Sequence, residues 1–168
     1  LEIHAAAGCD MHGPEPDAPR IVSETSGDFA IETRLKASSS AMPSVGDLSI
    51  WKDGENFIQL ERGLYEKEEI SFSFKEEGTR KYIGRGILPS SIVILRIERI
   101  GNNFSAYCSS DGLNWMTCGS MMLKIGDPVQ VGIHAAGGFQ RRRGMVAAGR
   151  LDIATVTLYD YFKIKSGG

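Results

Sequence analysis

Several features are scarce in this sequence, and each scarcity closes a class of answers. No apolar run approaches the ~20 residues that a helix needs to cross a bilayer, so no membrane partner is expected. Charge of one sign is not in excess: 19 basic against 21 acidic side chains leave a formal net charge of -2. A surface so balanced does not recruit nucleic acid by charge, and no nucleic-acid partner is expected. Cysteine is rare. Cys9, Cys108 and Cys118 cannot all pair within the chain, and none stands in a Cys-x-x-Cys or Cys/His spacing that would suggest zinc. They are expected to be free and to pack as small apolar residues. Finally, no window carries a helical apolar repeat with caps.

Alternation with a period of two is present instead, which is the mark of half-buried strands. The clearest stretch runs from Ser91 to Gly119. Val93, Leu95 and Ile97 alternate with Ile94, Arg96 and Glu98. Gly101-Asn102-Asn103 turns the chain, and Phe104, Ala106 and Cys108 resume the inward series. Ser110-Asp111-Gly112 turns it again ahead of Trp115, which is expected to cover the turn or enter the core. In the resulting hairpin Cys108 falls opposite Trp115 or Met116 rather than Cys118.

The rest of the chain reads the same way. Leu1–Ala6 is expected as an edge strand, residues 8–19 as a long loop rich in Gly and Pro, and Ile21–Thr25 as a short extended piece. Phe29, Ile31, Thr33 and Leu35 point inward on the next strand. A hairpin around Asp53-Gly54-Glu55 places Ile50 opposite Ile58. That register also sets Trp51 opposite Phe57, Ser49 opposite Gln59 and Asp47 opposite Glu61, all on the outer face. Ile70, Phe72 and Phe74 alternate, as do Val129, Val131 and Ile133. Ile153–Ile164 reads as a final strand with Val156, Leu158, Tyr159 and Phe162 available for burial, pairing with an early strand. About a dozen short strands at roughly 8–12-residue spacing predict an all-β, two-sheet antiparallel sandwich of jelly-roll type. At 168 residues one core suffices. The expectation is a single domain over residues 1–165, with 166–168 a linker or tag remnant. Leu1-Glu2 is read as a cloning scar or the start of an excised domain, so the compartment is left open.

Four pieces in order carry a family resemblance: Gly27–Ala37, Gly46–Gly63, Ile94–Trp115 with its Ser-Ser-Asp-Gly-x-Asn-Trp turn, and Pro128–Gly137. Together they resemble the bacterial concanavalin A-like lectin/glucanase superfamily. The similarity is to its domain-of-unknown-function branch, related to the regulation-of-enolase protein and to β-xylosidase C-terminal domains. The resemblance covers roughly residues 1–164. It implies a jelly roll of two antiparallel sheets. It does not imply one activity, because the superfamily holds lectins, hydrolases and interaction modules. Separately, the domain is expected to sit beside other domains of a larger protein.

A retaining glycosidase needs two carboxyl groups about 5 Å apart. The laminarinase-type branch carries them as Glu-x-Asp-x-x-Glu or Glu-x-Asp-x-Glu, and neither pattern occurs here. Glu66, Glu68 and Glu69 lack the central Asp, and Glu61 and Glu98 read as solvated charges on sheet faces. No catalytic residue is assigned. Trp51, Phe57, Gln59 and Glu61 share the outer face of one hairpin, and Arg96, Tyr107, Gln130 and His134 join the candidate set as outward-facing residues. Aromatic rings beside amide, carboxylate and guanidinium groups suit a sugar, whose apolar face stacks while its hydroxyls take hydrogen bonds. The competing reading is that Trp51 and Phe57 form a loop-covered cross-strand pair.

Asp10, His12 and His134 are weighed as a metal set that no spacing demands. No organic cofactor is expected. A structural calcium, which the resemblance implies, would draw on oxygen ligands such as Asp28, Asp152 and Asp160. Arg141-Arg142-Arg143 reads as an exposed loop. The leading expectation is a non-catalytic binding module for carbohydrate. A protein-interaction or regulatory domain, homodimeric in one version, and a glycoside hydrolase with an unrecognised site stay open.

Overall fold

The computed structural model describes residues 1–9, 11, 16–37, 44–137 and 154–167. Asp10, His12, Arg141-Arg142-Arg143 and Asp152 lie outside the described residues.

Among the described residues, twelve strands form two six-stranded antiparallel sheets. In the first sheet the spatial order is β1 (Glu2–Ala5), β12 (Thr155–Ser166), β3 (Phe29–Ala37), β8 (Val93–Ile100), β9 (Asn103–Ser109) and β10 (Met116–Met122). In the second it is β2 (Arg20–Thr25), β11 (Val129–Gly137), β4 (Ser44–Asp53), β5 (Asn56–Arg62), β6 (Glu69–Glu76) and β7 (Thr79–Ile87). This is the expected all-β, two-sheet antiparallel sandwich of jelly-roll type. The final strand does pair with early ones, β3 and β1, and its ladder runs through Ser166, which pairs with Phe29.

The inward alternation places Ile31 and Leu35 of β3 and Leu95 and Ile97 of β8 against Leu48, Ile50, Ile58, Leu60, Phe72 and Ile133 of the facing sheet, all buried. Burial of each such side chain contributes about 1.5–3 kcal/mol, and this is what presses the sheets together. The hairpin register is as expected: Ile50 opposite Ile58, Trp51 opposite Phe57 and Asp47 opposite Glu61. Cys108 lies opposite Met116, and all three cysteines are free. Trp115 covers its turn, donating its indole N–H to the Gly112 carbonyl (3.2 Å).

Strand β12 departs from the expected burial. Thr155, Thr157 and Tyr159 point inward, whereas Val156 and Leu158 are half-buried on the outer face. The ladder to β3 shifts register between Tyr159 and Tyr161, and this bulge flips the alternation. Phe162 and Ile164 therefore meet the core beyond it.

Tyr159 also bolts the sheets together. From the first sheet its hydroxyl accepts the Asp47 N–H (3.0 Å) and donates to the His134 carbonyl (2.5 Å), both in the second. Gly46 makes room, since a Cβ there would stand 2.7 Å from the Thr157 methyl and 3.3 Å from the Tyr159 oxygen.

Candidate functional site

Cross-strand registers stack the outer face of the second sheet in rows. One row reads Arg20, His134, Asp47, Glu61, Ser71 and Arg85 from β2 to β7. The next carries Gly132, Ser49, Gln59, Ser73 and Tyr82. The third carries Gln130, Trp51, Phe57, Lys75 and Arg80. Six of the eight sequence candidates thus share one face: Trp51, Phe57, Gln59, Glu61, Gln130 and His134. Arg96 and Tyr107 pair with each other on the first sheet and face away from that site.

This face is not the solvated surface that alternation alone suggests. Asp47, Gln59, Glu61, Ser73 and His134 have no exposed surface. Met11 and Ala18, from the long segment between β1 and β2, pack with Val45, Leu64 and Ala136 in a small second core on this side. Glu61, expected as a solvated charge, is instead buried against Arg80. One Arg80 nitrogen, Nη2, lies 2.8 Å from Glu61 Oε2, 2.9 Å from Gln59 Oε1 and 2.7 Å from Ser73 Oγ. Glu98, the other carboxylate considered, sits half-exposed on the opposite sheet, 3.8 Å from Arg96.

Trp51 stacks on Phe57 with centroids 4.8 Å apart and planes within 10°. The Arg20 guanidinium lies 4.8 Å over the Trp51 ring, and Phe57 is buried. The two rings therefore act as a cross-strand pair under cover. The most exposed aromatic rings on this face are Tyr65 and Tyr82, 37% and 38% exposed, with hydroxyls 3.0 Å apart. Arg85 stacks 4.0 Å over Tyr65 and is held by Glu69 (2.7 Å).

Asp47, Glu61 and His134 each place a metal-ligating atom within 4.8 Å of the others. That spacing suits a divalent cation, and the two carboxylates also stand near the separation of a retaining-glycosidase pair. The surroundings favour internal neutralisation instead. Arg80 supplies a cation to Glu61, and His134 Nδ1 lies 2.5 Å from Asp47 Oδ1, too close for both to bind one ion. Burial, and then the charge of Glu61, push the Asp47 carboxyl well above the usual carboxylate range. Of the calcium candidates, Asp28 accepts the Gly101 N–H at one end of β3, while Asp160 takes Arg34 near the other. Roughly 20 Å of strand separates them, so they do not converge.

Sequence reading missed Asp47, Ser73, Tyr65, Tyr82, Arg80 and Arg85. The signal for two was present: the hairpin register put Asp47 beside Glu61, and Ser71 and Ser73 alternate with Ile70, Phe72 and Phe74.

No family model matches the chain, and no curated protein matches it by sequence. Solved structures match its fold. The GH43 protein BlXynB of Bacillus licheniformis superposes with a TM-score of 0.76 at 16% identity over 99% of this chain and 33% of its own. A xylan β-1,4-xylosidase of Bacillus halodurans gives 0.72 at 14%, over 98% and 33%. The carbohydrate-binding module CBM66 of Bacillus subtilis gives 0.57 at 15%, over 86% and 78%. The chain spans about a third of the two GH43 and xylosidase chains, and at these identities the likeness is one of fold.

Proposed function

We propose that this domain is a non-catalytic carbohydrate-binding module of a larger protein, with its ligand site at the Tyr65–Tyr82 edge of the second sheet. One observation carries the reading. Two half-exposed tyrosines, their hydroxyls 3.0 Å apart, stand beside two fixed guanidinium groups: Arg85, held by Glu69, and Arg80, held by the buried Glu61, Gln59 and Ser73. A sugar ring needs such a pairing of aromatic wall and preset donors and acceptors. Gln130, exposed at the far side of Trp51, extends the polar face. The fold likeness to a carbohydrate-binding module, and to about a third of longer GH43 chains, supports a module in a multidomain protein.

The test is a thermal-shift and calorimetric screen against neutral mono- and oligosaccharides. A ligand at 100 times its Kd stabilises a fold by ~2.7 kcal/mol, a shift of roughly 2–4 °C at this size. One sugar class should shift the wild type and bind at least about tenfold more weakly to Tyr82→Ala. No shift with any neutral sugar, or a shift that Tyr82→Ala leaves intact, would overturn the reading.

A second reading has its own observation. Where the β7 and β10 edges meet, a pocket of about 190 Å³ is lined by Ile70, Ile87, Leu88, Cys108 and Met116. Ile87 and Met116 remain 54% and 46% exposed there. An apolar mouth of this kind suits a protein partner. Sedimentation of wild type beside Ile87→Glu tests it, since a strict monomer in both would remove the homodimer version.

A further inference from the structure

The outer face of the first sheet holds a second polar hollow. Registers align Lys163, Glu32, Arg96 and Tyr107 in one row and Lys165, Ala30, Glu98 and Ser105 in the next. Ala30 contributes only a methyl among long neighbours. The gap above it is a hollow of about 210 Å³ walled by Glu32, Arg96, Glu98, Lys163 and Lys165. That is below the ~300 Å³ of drug-sized sites, the scale of one small ring.

The walls are held in place. Glu32 accepts the Tyr161 hydroxyl (2.6 Å) on one oxygen and Arg96 Nε and Nη2 (2.9 and 2.6 Å) on the other. The Arg96 guanidinium lies 4.0 Å over the Trp115 ring, and the Lys163 ammonium lies 4.0 Å over Tyr161. Glu32 therefore answers Arg96. The two lysines leave positive charge facing a hollow whose remaining wall, Glu98, is a hydrogen-bond acceptor. An anion suits the lysines. Glu98 disfavours a compact dianion and favours a monoanion that also donates hydroxyls.

We propose that this hollow binds a sugar carboxylate, a uronic acid unit of a saccharide, with Lys163 and Lys165 taking the carboxylate and Glu98 accepting hydroxyls. The saccharide part rests on the carbohydrate-module reading; the anion part stands on this face alone. The module then carries two sites on opposite sheets, neutral-sugar and acidic-sugar.

The experiment is calorimetric titration with glucuronic acid, xylose and inorganic phosphate, on wild type, Lys163→Gln/Lys165→Gln and Tyr82→Ala. All substituted side chains are at least partly exposed. Glucuronate should bind saturably and weaken roughly tenfold or more in the lysine variant, and also on raising salt from about 20 to 200 mM. Its affinity should not change in Tyr82→Ala. Absence of saturable glucuronate binding, equal binding of phosphate, or loss in Tyr82→Ala rather than in the lysine variant would each overturn the proposal. Failure of neutral sugars to bind, with lysine-dependent glucuronate binding retained, would sink the first site and leave this one standing.

Discussion

His134 and Asp47 face each other across the β11–β4 pair, Nδ1 2.5 Å from Oδ1, with neither side chain exposed. The Asp47 carboxyl is pushed well above its ordinary range by burial and then by Glu61. Between the ordinary value of about 3.9 and the folded one, the folded state holds more protons than the unfolded. The carboxyl's contribution to stability is therefore complete below about pH 4 and lost as pH rises through the folded value. Asp47→Asn is neutral throughout. It should equal or exceed the wild type at pH 7, and the difference should close below about pH 4, as read by urea unfolding across that range. A loss of about 3–5 kcal/mol at pH 7 would instead identify an ionised, buried pair.

The neighbouring pair behaves differently because its cation is permanent. Arg80 serves Glu61, Gln59 and Ser73 at once. Arg80→Met should cost about 3–5 kcal/mol by removing the charge that matches a buried glutamate. Glu61→Gln in the Arg80→Met background should recover about 1–3 kcal/mol of that, a coupling measurable in a double-mutant cycle. Additive losses would mean that Arg80 acts through packing alone.

Tyr159→Phe removes only the oxygen that links the sheets. The Asp47 N–H and the His134 carbonyl lose that partner inside the core. The expected cost is about 1–3 kcal/mol, seen as a lower urea midpoint at unchanged slope. A larger loss with a changed slope would mean that the sheets themselves had come apart.

The β4–β5 hairpin was legible in the sequence because a two-residue period and one short turn determine every partner, including Asp47 beside Glu61. The outcome differs wherever partners come from far away in the chain. His134 reaches Asp47 only through the β11–β4 pairing, and no local pattern encodes that neighbour. Alternation says which face a side chain takes, not whether that face is covered, so Glu61 reads as solvated when it is buried against Arg80. Arg96 and Tyr107 were correctly outward, but alternation does not say to which sheet a strand belongs. The bulge beside Asp160 escaped for a related reason: an extra residue in one strand is visible only against its partner.

Trp51 separates stability from binding. Phe57 stacks on its ring and the Arg20 guanidinium lies 4.8 Å over it, so a sugar stacking there would compete with them. Trp51→Ala therefore removes packing that holds the hairpin and β2 together. The expected cost is about 2–4 kcal/mol, below the full range for a buried aromatic because the ring is partly exposed. Sugar affinity, measured well below the lowered melting temperature, should stay within about threefold of wild type, since about 1.4 kcal/mol would be needed for tenfold. Tyr82→Ala should show the reverse: a small stability change, and binding lost. If Trp51→Ala abolishes binding while the protein remains folded, the stacking surface is Trp51 itself. Arg20 would then have to swing aside on binding, and the ligand would lie across β4 and β11 toward Gln130 rather than against the tyrosines.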